Sequence, residues 1–334
     1  MRRFHAILPI ALTALLVAPE AAQAESTDGA KVVELAKGLY TITGWPDSGN
    51  PAFFVTGEGV VVFDSGESPQ RGRAIAAKVR ETTDRPIKYL VLTHYHGDHT
   101  YGLQSFPDGT IVIGSHEVAV NILRFNAEEA KGLPSRLADT QKRLAELGKE
   151  TSPEARAEEQ SLKGRLQALQ QLADLQIRYP DITFQDRLGI HLGGKTLEVI
   201  RPGRTHTSCS CVVRIPDLKA VIMGDMLFNY SHPYIDYDAG SDTERWMEFL
   251  RESLTWDLDV VVPGHGPAGG KKHIERQIQY LADLRKEVED AIRKGMTIEE
   301  AKKAVTMDAY REYEWPEGLT YGIEAVYREL KRTP

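Results

Sequence analysis

The chain has 334 residues, 41 Lys and Arg against 48 Asp and Glu, a formal net charge of −7 and two cysteines. An acidic balance of this kind argues against nucleic acid or an anionic membrane surface as the partner, since both require a basic face. Two cysteines cannot build a disulfide framework, so stability must come from an ordinary core.

Arg2 and Arg3 precede an apolar run from Ala6 to Ala18, which Pro19 and Glu20 break before Ala22-Gln23-Ala24. This order predicts a signal peptide over residues 1–24 and a periplasmic or secreted product. The run is too short to span a bilayer, so no stable membrane insertion is expected once it is removed. Residues 25–334 remain, about 310 in all, enough for one large α/β domain or two small ones.

From Lys31 to Asp64 short apolar runs alternate with turn residues, and Gly57-Glu58-Gly59 reads as a hairpin turn between two strands. An amphipathic helix is predicted over 68–82 and strands over 87–92 and 110–113. A composition shift follows over 115–178, rich in Glu, Lys, Arg, Gln, Ala and Leu. Leu137, Leu144 and Leu147, then Leu162, Leu166, Leu169 and Leu172, recur at helical spacing on either side of Gly148 to Pro153. The reading is an inserted helical hairpin with a solvated face, peripheral to the chemistry and able to overhang it or to dock a partner. From Asp181 the pattern returns to strand. Helices are expected over 242–254, 270–293, 297–304 and 321–332, and a strand over 259–262.

The stretch Val91 to Gly102 places His94, His96, Asp98 and His99 at the end of a predicted strand. Buried imidazoles do not crowd in this way without a metal or partners. Three further predicted strands each end near a residue that could serve a metal: His206, Asp225 and His265. Five imidazoles and two carboxylates with no thiolate would suit two borderline cations; the set favours zinc and leaves iron and manganese open.

His94-x-His96-x-Asp98-His99, followed by His206, Asp225 and His265, resembles the metallo-β-lactamase-fold hydrolases over roughly residues 31–275. The resemblance implies an αββα sandwich with two metals at one edge. His94, His96 and His206 would bind the first metal and Asp98, His99 and His265 the second, with Asp225 bridging them. Asp64, ending a hairpin similar to the family's opening one, would support the metal loop from behind. An aspartate at 225, where the antibiotic-hydrolysing members carry cysteine or serine, is more similar to the glyoxalase II, lactonase and phosphodiesterase branches.

The expected reaction is hydrolysis of an ester, lactone, thioester or amide in a small-molecule substrate by water activated between two Zn2+ ions, with Asp98 orienting it and relaying its proton. A β-lactamase-like amide hydrolase, a mononuclear iron oxygenase and an accessory protein of an exported pathway stand as alternatives. No G-x-S-x-G motif is present. Tyr230, His232 and Tyr234 are candidates for the pocket wall; His116, His191 and His273 read as ordinary histidines. Cys209 and Cys211 would sit at the outer limit for a disulfide if they shared a strand, so buried free thiols are expected.

Overall fold

The computed structural model describes residues 29–45, 49–148 and 152–332, and the signal peptide read at 1–24 lies outside them. In chain order, β1 (Lys31–Ala36), β2 (Leu39–Thr43), β3 (Ala52–Val55) and β4 (Val60–Phe63) lead into α1 (Pro69–Thr82) and β5 (Ile87–Val91). A single turn, α2 (Gly97–Thr100), and β6 (Ile111–Ser115) come next. The helical segment comprises α3 (His116–Asn121), a π-helical turn at Ile122–Asn126, α4 (Ala127–Leu147) and α5 (Pro153–Gln171). Then follow β7 (Ile182–Phe184), β8 (Arg187–Leu192), β9 (Lys195–Ile200), β10 (Val212–Ile215) and β11 (Ala220–Phe228). The chain continues through α6 (Thr243–Leu254), β12 (Val260–His265), α7 (Lys271–Arg293), α8 (Ile298–Ala304) and α9 (Pro316–Leu330). Among the described residues no helix is long and apolar enough to cross a membrane.

β1 to β7 form one sheet in chain order, antiparallel as far as β4 and parallel from β4 to β7. The other sheet has the order β12-β11-β10-β9-β8, with β12 parallel to β11 and the rest antiparallel. Strands buried on both faces read as continuous apolar runs, and alternation then sorts their side chains between layers. On β4, Val61 and Phe63 face the second sheet, while Val60 and Val62 pack with Ile75 and Val79 of α1. On β11, Ile222 joins the core between the sheets, while Val221 and Met223 join Trp246, Leu250, Leu281 and Leu284 of the outer helices. The result is the αββα sandwich.

Two expectations need correction. Of residues 181–184, read as opening the second half, Ile182–Phe184 form β7 and pair in parallel with β6, Ile113 opposite Ile182. The helical segment is therefore the β6–β7 crossover, and a parallel pair cannot be joined without one. The last helix starts at Pro316 instead of 321, because proline fits the first helical position, where its missing N–H is not needed.

The expectation of a wholly peripheral insertion fails at its root. Asn126, buried in the π-helical turn, donates to the Tyr95 carbonyl (2.8 Å) and to Thr100 Oγ1 (2.9 Å), both in the His-rich loop. Tyr101 donates to Glu129 at 2.7 Å. Farther out, Leu133, Leu147 and Leu169 are buried but belong to none of the three main cores, and Arg143 clamps α4 to α5 through Glu158. Replacing residues 132–170 by a short Gly/Ser link should leave metal affinity unchanged. Asn126→Ala should cost about 1–3 kcal/mol in urea unfolding, because it strands buried acceptors on the loop. Loss of metal from the deletion would show that the whole hairpin belongs to the core.

Candidate metal centre

β4 runs parallel to β5 in one sheet and β11 to β12 in the other, so each pair delivers its carboxyl ends to one edge. Asp64 follows β4, and His94, His96, Asp98 and His99 follow β5. His206 comes from the β9–β10 connection, and His265 is the last residue of β12. Asp225 was expected near the end of a strand but lies inside β11. There Gly224 has φ +50° and the register with β12 slips on both sides, a bulge that turns the carboxylate into the site. Gly264 makes room, since a Cβ on it would lie 1.9 Å from Asp225 Oδ1.

The seven predicted residues meet in two groups: His94, His96, His206 and Asp225, and Asp98, His99, Asp225 and His265. In the first, His96 Nδ1 lies 2.9 Å from His94 Nε2 and 3.3 Å from His206 Nε2. Tetrahedral ligands at Zn–N bonds of about 2.0–2.1 Å stand roughly 3.3 Å apart. Asp225 Oδ2 is 3.7 Å from both His94 Nε2 and His206 Nε2 and 3.4 Å from His265 Nε2, while Oδ1 is 3.1 Å from His99 Nε2. Asp98 Oδ2 lies 3.1 Å from His99 Nε2 and 3.3 Å from His265 Nε2. One carboxylate thus touches both groups.

The outer ring nitrogens fix the tautomers. His206 Nδ1 donates to the Tyr234 carbonyl at 2.8 Å, and His96 Nε2 to Asp236 Oδ2 at 2.9 Å. His99 Nδ1 donates to Asp64 Oδ2 at 2.8 Å. Thr93 gives its hydroxyl proton to Asp64 (2.8 Å), so it accepts from His94 Nδ1 at 3.1 Å. The inner nitrogens of His94, His96 and His206 are thereby left with lone pairs aimed at one another. Lone pairs that converge this closely repel unless a proton or a cation sits among them. His99 Nε2 and Asp225 Oδ1 are buried and lack any hydrogen bond of acceptable angle despite their proximity. A cation satisfies both, so the residues present fit a pair of metal ions.

Charge tells the same story. Burial, and next the neighbouring His99, hold His94 far below the usual imidazole range, and burial brings His206 down to about 4. Both are thereby kept neutral at physiological pH, the form in which an imidazole can offer a lone pair to a cation. Burial also opposes charge on His99 and His265, but the carboxylates prevail. Asp98, Asp225 and Asp64 raise His99 well above its ordinary value, and Asp225 and Asp98 raise His265 to about 10. Against their own burial, Asp98 is held well below the carboxylate range by His99 and His265, and Asp225 by His265, His99 and His94. The second group demands positive charge, which protons or divalent cations can supply.

A cavity of ≈ 1020 Å³ opens over the second group, with Trp45, Asn50, Phe228, Tyr234 and Trp315 on its walls. Phe228 stacks on His265 at 5.0 Å and 8°. Of the three aromatic residues expected there, only Tyr234 lines it. Ser231 takes the cavity side instead. His232 turns inward to Tyr280 (2.7 Å), and Tyr230, with φ +62°, packs edge-on to His273. Cys209 and Cys211 are buried free thiols, as expected.

Sequence reading found Asp64 but missed Thr93, Asn126, Asp236, Glu314 and Trp315. Asp236 binds Tyr95 (2.6 Å) as well as His96; against its burial, these hydrogen bonds bring it down to about 2. Its one signal was its place in the loop after Asp225.

The sequence model described as the metallo-beta-lactamase superfamily matches residues 44–265. The chain belongs to that superfamily. A linear primary-alkylsulfatase from Pseudomonas sp. is 24% identical over 265 residues, which are 75% of this chain and 48% of that one. A 2,4-dinitroanisole O-demethylase subunit alpha from Nocardioides sp. is 21% identical over 243 residues, 72% of this chain and 60% of that one. The chain thus spans about half to three-fifths of the length of these curated relatives. Among solved structures, a metallo-beta-lactamase from Pontibacter korlensis aligns with TM-score 0.55 at 19% identity, over 76% of this chain and 99% of that one. A stereoselective inverting sec-alkylsulfatase from Pseudomonas sp. aligns at 0.62 and 17%, over 90% of this chain and 50% of that one. At these identities the solved structures establish the fold alone.

Two outcomes follow from the geometry. Asp236→Ala frees the His96 ring and should weaken metal binding about 10–100-fold, read by competition with a chromophoric chelator. Zinc uptake should also release protons, because His99 and His265 must give theirs up. Between pH 6 and 9, below the raised value of about 10 for His265, affinity should climb with pH by up to about tenfold per unit for each proton displaced. His94 and His206, already neutral, add no such proton. Calorimetry in buffers of different ionisation enthalpy counts the protons, and a count of zero would refute the charge assignment.

Proposed function

We propose that this chain is a binuclear, zinc-dependent hydrolase of small-molecule esters, lactones, thioesters or amides. The observation that carries the reading is the set of four imidazoles, each anchored on its outer nitrogen and aimed inward at a shared carboxylate. His94, His96 and His206 would hold one cation and Asp98, His99 and His265 the other, with Asp225 common to both. Cations held there supply Lewis acidity, which polarises a substrate oxygen and makes water nucleophilic near neutral pH.

The chain's own residues do the rest. Asp98 is the more exposed of the two ligand carboxylates, at 29% against 4% for Asp225, and it faces the cavity, where it can orient water and relay its proton. Trp45, Phe228 and Tyr234 wall the substrate from bulk solvent. Asp236 and Asp64 keep the imidazoles from rotating. Because one relative is named for alkyl sulfates, these belong in the substrate panel. The basic and apolar order of residues 2–24 supports action outside the cytoplasm.

The test is elemental analysis of the purified protein, combined with a panel of esters, lactones, thioesters, β-lactams and alkyl sulfates. Close to two zinc ions and turnover of at least one class are expected; a single iron per chain would sink the reading. Asp225→Asn should weaken the site and cut turnover by at least roughly 100-fold, since it removes a charge shared by both groups. Asp64→Asn should lose less, because it acts through Thr93 and His99. Unchanged kcat and metal content in Asp225→Asn would remove Asp225 from its shared position.

A further inference from the structure

One wall of the cavity comes from a part of the chain that supplies no metal-ligating residue. Glu314 and Trp315 precede α9 and line the cavity together with Trp45. They are pinned to the loop that follows Asp225. Glu314 N donates to the Tyr230 carbonyl at 2.8 Å, and His232 N donates to the Glu314 carbonyl at 3.1 Å.

Trp315 is held there against its own preference. Its φ is +57°, a conformation that bulky residues avoid and that persists only where the surroundings impose it. Pro316 follows at the first position of α9. Gly318 leaves space for the ring, since a Cβ there would lie 2.5 Å from Trp315 Cε3. Tyr234 and Tyr321 flank the ring with centroids at 6.1 Å each. A large ring fixed by so many constraints is nevertheless 38% exposed, on the mouth of the cavity. Packing alone does not account for that placement.

His96, Asp98, Asp225 and His265 line the cavity but are committed to the metal groups. Outside those groups, Glu314 is the one charged side chain among the described residues lining the cavity. The Glu314 carboxylate has no hydrogen-bond or ion-pair partner among the described residues. Nearby guanidinium groups are directed elsewhere: Arg71 lies over Trp45 and pairs with Glu67, and Arg276 donates to the Tyr313 hydroxyl. An exposed indole face beside an uncompensated carboxylate is the arrangement that attracts a weakly hydrated organic cation.

We propose that Trp315 and Glu314 form a specificity subsite that takes an alkylammonium group on the non-reacting part of the substrate. The inference rests on the hydrolase reading for its reaction, but binding to the subsite can be measured without turnover. The probes are two non-hydrolysable ethers of one stem, one ending in trimethylammonium and the other in its neutral isostere, tert-butyl. Each is titrated into the zinc-loaded full chain and followed by calorimetry and tryptophan fluorescence.

The ammonium ether should bind at least about fivefold more tightly than the tert-butyl ether. Glu314→Gln, nearly isosteric and on the surface, should erase that advantage, and Trp315→Ala should weaken both ligands. Circular dichroism establishes that the variants fold, and Trp315→Phe should restore part of the binding. Equal or tighter binding of the tert-butyl ether, an unchanged ranking in Glu314→Gln, or no binding of either probe would overturn the subsite. If the ranking holds but none of the corresponding esters is cleaved, the hydrolase reading fails and the subsite stands.

Discussion

The carboxylate of Asp64 accepts from Thr93 N and Thr93 Oγ1, each at 2.8 Å, and from His99 Nδ1 at 2.8 Å. Through the Thr93 hydroxyl it also sets the proton on His94. One buried acid therefore positions a residue of each metal group, and it does so from a backbone with φ +62°. That conformation is unfavourable for an aspartate, and it survives because β4 and the metal loop are tied together around it. Asp64 N donates to the Val91 carbonyl, and Ser65 N to the His99 carbonyl. Strain kept at such a point is the usual mark of a site whose geometry matters more than its local stability.

The two sheets must also be held in register at this edge. Asn50 does so from the first sheet: its backbone N–H donates to the Gly264 carbonyl, and its side chain to the carbonyls of Pro263 and Gly266. From the other direction, Cys211 N donates to the Thr93 carbonyl. These cross-sheet bonds bring a carboxylate from β11 and an imidazole from β12 against a loop that follows β5. The carboxylates then meet imidazoles either as protonated partners or as fellow ligands of a cation. Cation uptake and proton release become two sides of one equilibrium.

Within the superfamily, chains of low identity share the sandwich fold. The match at residues 44–265 covers the sandwich strands from β3 to β12 and ends at His265. Glu314 and Trp315 lie beyond it, as do α7, α8 and α9. One wall of the cavity thus comes from outside the matched segment, while Trp45, Phe228 and Tyr234 come from within it.

The sequence by itself picked out the seven residues that the fold brings together in two groups, because metal ligation demands particular residue types at short, countable offsets after apolar runs. His94-x-His96-x-Asp98-His99 could be read without a structure, and the resemblance that these residues carry implied the sandwich. Asp64 was legible from its place at the end of a hairpin. Asp236, Thr93 and Asn126 were not, since an outer hydrogen bond can come from any acceptor that the fold brings near, at no fixed spacing. Only the tertiary structure decided that residues 182–184 join the first sheet, that the root of the helical crossover grips the metal loop, and that Ser231 instead of His232 faces the cavity. It also decided that Trp315 lines one cavity with His96 and Asp98. Burial and long-range pairing settle such questions, and neither has a local signature in the order of residues.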